Sequence, residues 1–114
     1  MQELISDTYL TKNISFDENS IVAFCKKWKV KEFYFFGSVL SEKFSTQKSD
    51  VDVMIEFNTD AKINLFHHMD MQTELENIFK KKVDLVTKTA VENSQNQYRK
   101  TSVLKGSKLF YYES

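Results

Sequence analysis

The pattern of apolar and polar residues divides this 114-residue chain into segments with helix-like and strand-like periods. Ser15 and Glu18 have the spacing of a capping box, which predicts a helix that opens here and runs to about residue 29. Its predicted buried stripe consists of Ile21, Val22, Phe24, Cys25 and Trp28. A longer helix is predicted over residues 64–80 from a second stripe: Leu65, Met69, Met71, Leu75, Ile78 and Phe79.

Strand-like runs lie between these helices and predict the fold class. They cover Val30–Phe36, Val51–Phe57 and residues 82–86. The pattern also predicts a short helix at 39–44, a polar loop at 45–49 and a polar helix from after Ala90 to about Leu104. The aromatic tail at 108–112 is either a final strand or a docking surface. We therefore predict an α+β fold, a small mixed β-sheet with helices packed on it, forming one domain over residues 1–114.

Composition and charge exclude several classes of protein. Sixteen basic residues balance sixteen acidic ones, so direct binding to nucleic acid is not expected. Cys25 is the only cysteine, so it cannot form an internal disulfide, and we predict that it is a buried core residue. No apolar run approaches the ~20 residues of a membrane span, and the first ten residues do not resemble a signal peptide. A cytoplasmic protein without a membrane partner is predicted.

Carboxylates at strand spacing are the first sign of chemistry. Asp50 and Asp52 are separated by one residue, so their side chains point to the same face of a strand. Like charges on one face repel unless a cation lies between them, and magnesium takes carboxylate oxygens readily. Asp84 lies between Val83 and Leu85 in a strand that looks buried, which is unexpected for a carboxylate that is neither paired nor bound. Three carboxylates could therefore meet at one edge of the sheet.

A turn with the features of a phosphate site precedes these carboxylates. Gly37 and Ser38 end one strand and begin a predicted helix, so free backbone amides and the helix dipole favour an anion there. Taken alone, Gly-Ser is usually a plain turn and an Asp-x-Asp triplet is usually a solvated face. In this order along the chain, they predict a nucleoside triphosphate bound with two magnesium ions.

Three short segments carry a family resemblance: Phe36-Gly37-Ser38-Val39-Leu40, Ser49-Asp50-Val51-Asp52-Val53 and Val83-Asp84-Leu85-Val86-Thr87. The pattern resembles the minimal nucleotidyltransferases of the DNA polymerase beta superfamily. The resemblance implies a polymerase-beta-like fold, with Mg2+ held by Asp50, Asp52 and Asp84. It also implies a triphosphate bound at Gly37 and Ser38, with Ser49 beside it, and transfer of AMP from ATP to a hydroxyl. Many members of this length resemble antitoxins encoded beside a HEPN-domain ribonuclease toxin, which some modify by attaching AMP to a tyrosine.

One departure from the family pattern leaves an alternative open. Related sequences commonly carry an arginine at the position of Ser41, whereas Val39, Leu40 and Ser41 provide no charge. Lys43 or Lys48 could reach the phosphates instead, but lysine cannot imitate the arginine fork. The leading hypothesis is a magnesium-dependent nucleotidyltransferase that modifies a hydroxyl of a HEPN-type partner protein. The alternative is a weakly active or inactive antitoxin that acts by binding alone.

Three further sets of residues receive structural interpretations, and three questions stay open. His67 and His68 are predicted to be surface or half-buried residues of the long helix. The run Lys80, Lys81 and Lys82 is predicted to neutralise the end of that helix. Arg99, the only arginine, is predicted to form a surface ion pair. The nucleotide base, the acceptor residue and the oligomeric state are not predicted.

Overall fold

The computed structural model describes residues 2–4 and 8–113, which form one five-stranded sheet with helices on both faces. In chain order the elements are β1 (Gln2–Leu4), α1 (Thr8–Asn13), α2 (Glu18–Trp28), β2 (Val30–Phe36), the 3-10 helix η1 (Gly37–Leu40), β3 (Val51–Phe57), α3 (Leu65–Phe79), β4 (Val83–Thr87), α4 (Lys88–Glu92), α5 (Gln97–Gly106) and β5 (Lys108–Glu113). None of the described helices combines the length and apolar character needed to cross a bilayer.

The strands are arranged in the order β1-β5-β2-β3-β4. The pairs β1–β5, β5–β2 and β2–β3 are antiparallel, and the pair β3–β4 is parallel. The sheet is therefore mixed, as predicted. The aromatic tail is strand β5 and lies between β1 and β2, with Phe110 and Tyr111 buried. Its interpretation as a strand is therefore confirmed, and its interpretation as a docking surface is wrong.

The larger part of the core lies between the sheet and helices α2 and α3. Alternate residues of a strand share a face, and Val51, Val53 and Ile55 of β3 are all fully buried on this side. Phe35 of β2 is in ring contact with four other phenylalanines: Phe16, Phe33, Phe79 and Phe110. Cys25 of α2 is buried here, where loss of solvent raises the pKa of its thiol, so its prediction as a core residue is confirmed.

The opposite face of the sheet is covered by α4 and α5 and contains a smaller apolar cluster. The buried members of this cluster are Phe36, Met54, Val91 and Val103, and its partly buried members are Tyr34, Val86 and Leu104. At one end of the same face, Lys88 Nζ donates a hydrogen bond to Glu32 Oε1 at 3.2 Å. The Tyr34 hydroxyl donates to the same oxygen at 2.6 Å, so half-buried charges border this cluster.

Several predicted boundaries were wrong, in two cases because polar side chains begin the helices. Asp17, and not Ser15, caps α2, since its carboxylate accepts from the Asn19 amide at 3.0 Å. The polar helix predicted after Ala90 is two helices, and Asn96 caps the second by accepting from the Arg99 amide. The helix predicted at 39–44 is instead the 3-10 turn η1. Strand β4 begins and ends one residue later than predicted.

Candidate active site

The predicted carboxylates lie at the edge of the sheet where β3 and β4 begin and β2 ends. Asp52 is the register partner of Phe36 on β2 and of Asp84 on β4. Gly37 follows Phe36 directly, so the Gly-Ser turn lies next to Asp52. Asp50 precedes β3 by one residue and is exposed. The order of the strands therefore places the turn on one side of Asp52 and Asp84 on the other.

Gly37 brings the backbone of the turn against Asp52. Its φ of +76° lies in the left-handed region that favours glycine. A Cβ atom at this position would lie 2.3 Å from Asp52 Oδ2, which is closer than two non-bonded atoms can approach. Only glycine allows the turn and the carboxylate to share this space, so Gly37 is needed for the shape of the site.

The segment after Gly37 is held by hydrogen bonds that the sequence analysis missed. Asn13 Nδ2 of α1 donates to the carbonyl oxygens of Val39 and Ser41, both at 2.8 Å. The Ser41 amide donates to the Ser38 carbonyl oxygen at 2.9 Å, and the Ser41 hydroxyl does so at 3.1 Å. Because η1 is a single 3-10 turn, the predicted contribution of a helix dipole is wrong, and any anion binding must depend on local amides.

Ser49 closes the loop that leads into Asp50. Its hydroxyl accepts from the Ser45 amide, and its own amide donates to the Ser45 carbonyl oxygen, both at 2.9 Å. Of the two lysines predicted as substitutes for the missing arginine, Lys48 lines a depression of about 370 Å³ that also includes Asp50. The side chains of Lys80, Lys81 and Lys82 line the same depression. Lys43 is exposed and does not line it.

Charge repulsion is visible at Asp52. Burial, together with the nearby carboxylates of Asp84 and Asp50, raises the pKa of its carboxyl to about 6. Asp84 itself is exposed, although its neighbours Val83 and Leu85 are buried. Strand β4 is therefore buried on one face only, because alternation turns Asp84 away from the core between the sheet and α3.

The donor chemistry of these residues fits magnesium. Carboxylate oxygens are the ligands that Mg2+ prefers, and a divalent cation would relieve the repulsion that raises the pKa of Asp52. As they stand, no three His, Cys, Asp or Glu side chains in the described part of the chain are close enough to hold a metal ion. The structure therefore brings the three aspartates to one edge of the sheet, but their side chains do not form a ligand cluster.

Arg99 on α5 is a further charged residue near Asp52. Its guanidinium group opposes the rise in the pKa of the Asp52 carboxyl. The predicted surface ion pair is not found among residues 10 and 12–113, whose side chains the structure describes, since no carboxylate there pairs with Arg99. The sequence gives one indication that this residue is functional, because it is the only arginine. The packing of α5 that places it near Asp52 cannot be predicted from the neighbouring residues.

Comparisons with known proteins agree with this arrangement. A family model described as "Nucleotidyltransferase domain" matches residues 18–110. The relative "Putative protein adenylyltransferase MJ1379" of Methanocaldococcus jannaschii is 36% identical over 67 residues, which are 59% of this chain and 66% of that protein. The chain thus spans slightly less than two thirds of the length of this curated relative.

Solved structures show the same fold at low sequence identity. A toxin-antitoxin structure with AMP-PNP superposes with a TM-score of 0.59 at 20% identity, over 82% of this chain and 71% of that chain. A complex of the tri-AMPylated Shewanella oneidensis HEPN toxin with an MNT antitoxin gives a TM-score of 0.55 at 19% identity, over 88% of this chain and 70% of that chain. The predicted fold class is confirmed by these similarities.

Proposed function

Because the chain belongs to the nucleotidyltransferase domain family, we propose that it transfers AMP from ATP to a hydroxyl group of a partner protein. The observation that carries this proposal is the juxtaposition of Gly37 and Asp52, with Asp84 as the register partner of Asp52. The turn supplies amides for phosphate, and the strands supply carboxylates for metal. A triphosphate bound with magnesium requires both kinds of group at one edge.

The proposed nucleotide-binding residues are Gly37, Ser38 and Ser49. Gly37 leaves the turn open because it has no side chain, and Ser38 is half-buried beside it. Ser49 fixes the loop before Asp50, and its role toward nucleotide stays a prediction. ATP is proposed as the substrate because a structural neighbour was solved with AMP-PNP and a relative is named for adenylyl transfer.

Asp50, Asp52 and Asp84 are the proposed ligands of two magnesium ions. When bound, such ions neutralise phosphate charge and favour loss of the proton from the acceptor hydroxyl. In the reaction, the acceptor oxygen forms a bond to the α-phosphorus while the bond to pyrophosphate breaks. We assign the acceptor side to Asp84, because it lies across Asp52 from the Gly-Ser turn and is exposed to an incoming protein. We propose that its carboxylate either binds the second ion or accepts the released proton.

A protein acceptor is consistent with the position of the site and the surface of the domain. The candidate site lies at one edge of the described sheet, and Asp84 is exposed there, so an acceptor protein can bring its own surface to the site. Exposed apolar side chains on α3 offer contact area: Leu65 is 71% exposed, Phe66 73% and Met69 57%. We propose a HEPN-type toxin as this partner, since a structural neighbour is an MNT antitoxin in complex with one. A cytoplasmic location and the absence of direct nucleic-acid binding stay predictions.

A second function, neutralisation of the partner by binding alone, is favoured by the segment after the turn. Val39, Leu40 and Ser41 carry no charge, so this segment supplies no cation to a triphosphate. The Ser41 hydroxyl donates to the Ser38 carbonyl oxygen. In this alternative the site is weakly active or inactive, and the protein blocks its partner by covering it.

The decisive experiment is transfer of labelled AMP. The purified protein is incubated with labelled ATP, magnesium and the product of the neighbouring gene, and label on that product is measured. We expect transfer that is lost in each of Asp50→Asn, Asp52→Asn and Asp84→Asn. Asp70→Asn, an exposed aspartate on α3, is the matched control and should transfer normally.

Two outcomes separate the proposals. If the wild-type protein transfers no label but forms a stable complex that survives the three substitutions, binding alone is the function. If Asp70→Asn loses transfer to the same extent as the site variants, the loss is not specific to the proposed metal-binding carboxylates. Circular dichroism melting of each variant checks that the loss of activity is not a loss of fold.

A further inference from the structure

We propose that Arg99 contacts the phosphate groups of the bound nucleotide, so that α5 supplies the cation that the segment after Gly37 and Ser38 lacks. This inference rests on the proposed function, because it assumes a nucleotide at the Gly-Ser turn. It identifies a further substrate-binding residue on an element outside the three segments that carry the family resemblance.

The first argument is the face of the sheet on which Arg99 lies. Asp84 and Val86 are two residues apart on β4, so they share a face, and it is the face covered by α4 and α5. Arg99 and Val86 line one depression of about 230 Å³, together with Ala90, Val91 and Ser94. The guanidinium group is therefore on the same side of the sheet as the candidate carboxylates.

The second argument is that the positive side chain of Arg99 is accessible to an incoming anion. Its side chain is exposed and has no ion pair with any carboxylate among residues 10 and 12–113, the part of the chain with described side chains. Its backbone amide, in contrast, is fixed by the Asn96 side chain at 3.0 Å, which anchors the first turn of α5. A positioned backbone with an uncommitted guanidinium group is suited to binding an incoming anion.

The third argument is the chemistry of the missing residue. A guanidinium group presents parallel N–H donors that match two phosphate oxygens, which a lysine ammonium cannot do. Three carboxylates at one edge repel a triphosphate, and Arg99 is the only arginine able to offset that repulsion with bidentate geometry. A purely electrostatic role is the rival explanation, in which Arg99 acts on Asp52 and never touches the nucleotide.

Calorimetric titration of three variants distinguishes these explanations. ATP and adenosine are each titrated, with magnesium present, into Arg99→Gln, Arg99→Lys and the control Lys105→Gln, which removes an exposed charge from the same helix. We expect Arg99→Gln to weaken ATP binding about tenfold to a hundredfold, the effect of a lost charge-assisted hydrogen bond. Arg99→Lys should fall between this variant and wild type, because it keeps the charge but loses the fork. Adenosine binding should be unchanged in all three variants, and ATP binding unchanged in Lys105→Gln.

Other results overturn the inference. If Arg99→Gln binds ATP like wild type, or Arg99→Lys restores affinity fully, there is no bidentate contact. Equal weakening of ATP and adenosine would point to a structural role, and absence of ATP binding in wild type removes the inference altogether. If wild type binds ATP in an Arg99-dependent way but transfers no label, the proposed transfer fails while the phosphate contact stands.

Discussion

The two faces of the sheet differ in how completely they are covered, and the difference separates stability from chemistry. The face under α2 and α3 is packed with fully buried side chains and a cluster of phenylalanine rings. The face under α4 and α5 buries four residues and has charged groups at both ends of its strands. Helices of five and ten residues cannot cover the whole sheet, so carboxylates remain accessible there.

The largest expected effect tests the first face. Phe35→Ala should lower the free energy of unfolding by about 3–5 kcal/mol, because it removes a ring that contacts four others. Val103→Ala, on the face under α5, should cost about 1.5 kcal/mol, since two buried methyl groups are lost. Urea denaturation followed by circular dichroism measures both. Equal losses would mean that the two faces contribute alike to stability.

Gly37→Ala should affect the site more than the fold. A left-handed backbone costs alanine about 1–2 kcal/mol, and the new Cβ atom must displace the Asp52 carboxylate. We expect at least a tenfold loss of ATP affinity by calorimetry, with a melting temperature only a few degrees lower. Gly106→Ala is the matched control, because a Cβ atom there meets nothing within 4 Å. Loss of ATP affinity in the control as well would remove the argument for Gly37.

The third test concerns the dependence of stability on pH. The pKa of Asp52 is about 6 in the folded protein and near 4 in an unfolded chain, so the native state holds an extra proton between these values. In metal-free buffer the free energy of unfolding should therefore fall as pH rises from 4 to 7. Because Asp52 is only partly buried, screening limits this contribution to about 1 kcal/mol. In Asp52→Asn that contribution should be absent, and chemical denaturation at several pH values measures the difference between the two proteins. Identical pH profiles would show that neither burial nor the neighbouring carboxylates raise the pKa of Asp52 in the folded protein.

The smallest expected effect compares two lysines. Lys88 is 26% exposed and bonds Glu32 beneath α4, whereas Lys27 is 60% exposed and pairs with Glu74 on the opposite side. Lys88→Met should cost about 1 kcal/mol, and Lys27→Met less than about 0.5 kcal/mol. Urea denaturation at low and high salt measures both, and only the Lys27 pair should weaken strongly with salt. The opposite ranking would mean that burial does not strengthen the Lys88 network.

Much of the fold follows from local pattern, and the exceptions depend on distant contacts. Strands β2 and β3 have the predicted boundaries, and α3 begins and ends within one residue of its prediction because Asn64 and Lys80 cap it. His67 is half-buried as predicted, and its Nδ1 accepts from the Asn64 amide at 3.3 Å within a capping box. Strand β1 had no predictive pattern, because it exists through pairing with β5. The break between α4 and α5 lies in a polar segment, where no period of apolar residues indicates that one helix ends and another begins.

The candidate site likewise combines features that follow from the local sequence with features that depend on distant contacts. The common face of Asp50 and Asp52 follows from alternation, and the need for glycine before the carboxylates follows from the turn. The register that pairs Asp52 with Asp84 is a long-range property of β3 and β4. Likewise, Asn13 and Arg99 approach the site from helices at opposite ends of the chain, and nothing in their neighbouring residues indicates where those helices dock.

The position of β5 has a consequence for synthesis and degradation. This strand is the last described element in the chain, yet it pairs with both β1 and β2 near the middle of the sheet. While the ribosome has not yet released residues 108–113, β2 has an open edge and the phenylalanine cluster lacks Phe110. A nascent chain, or one clipped by a protease after α5, therefore presents an unpaired strand and exposed aromatic surface. Such a chain is a target for chaperones and proteases, so the abundance of the protein depends on the pairing of residues 108–113.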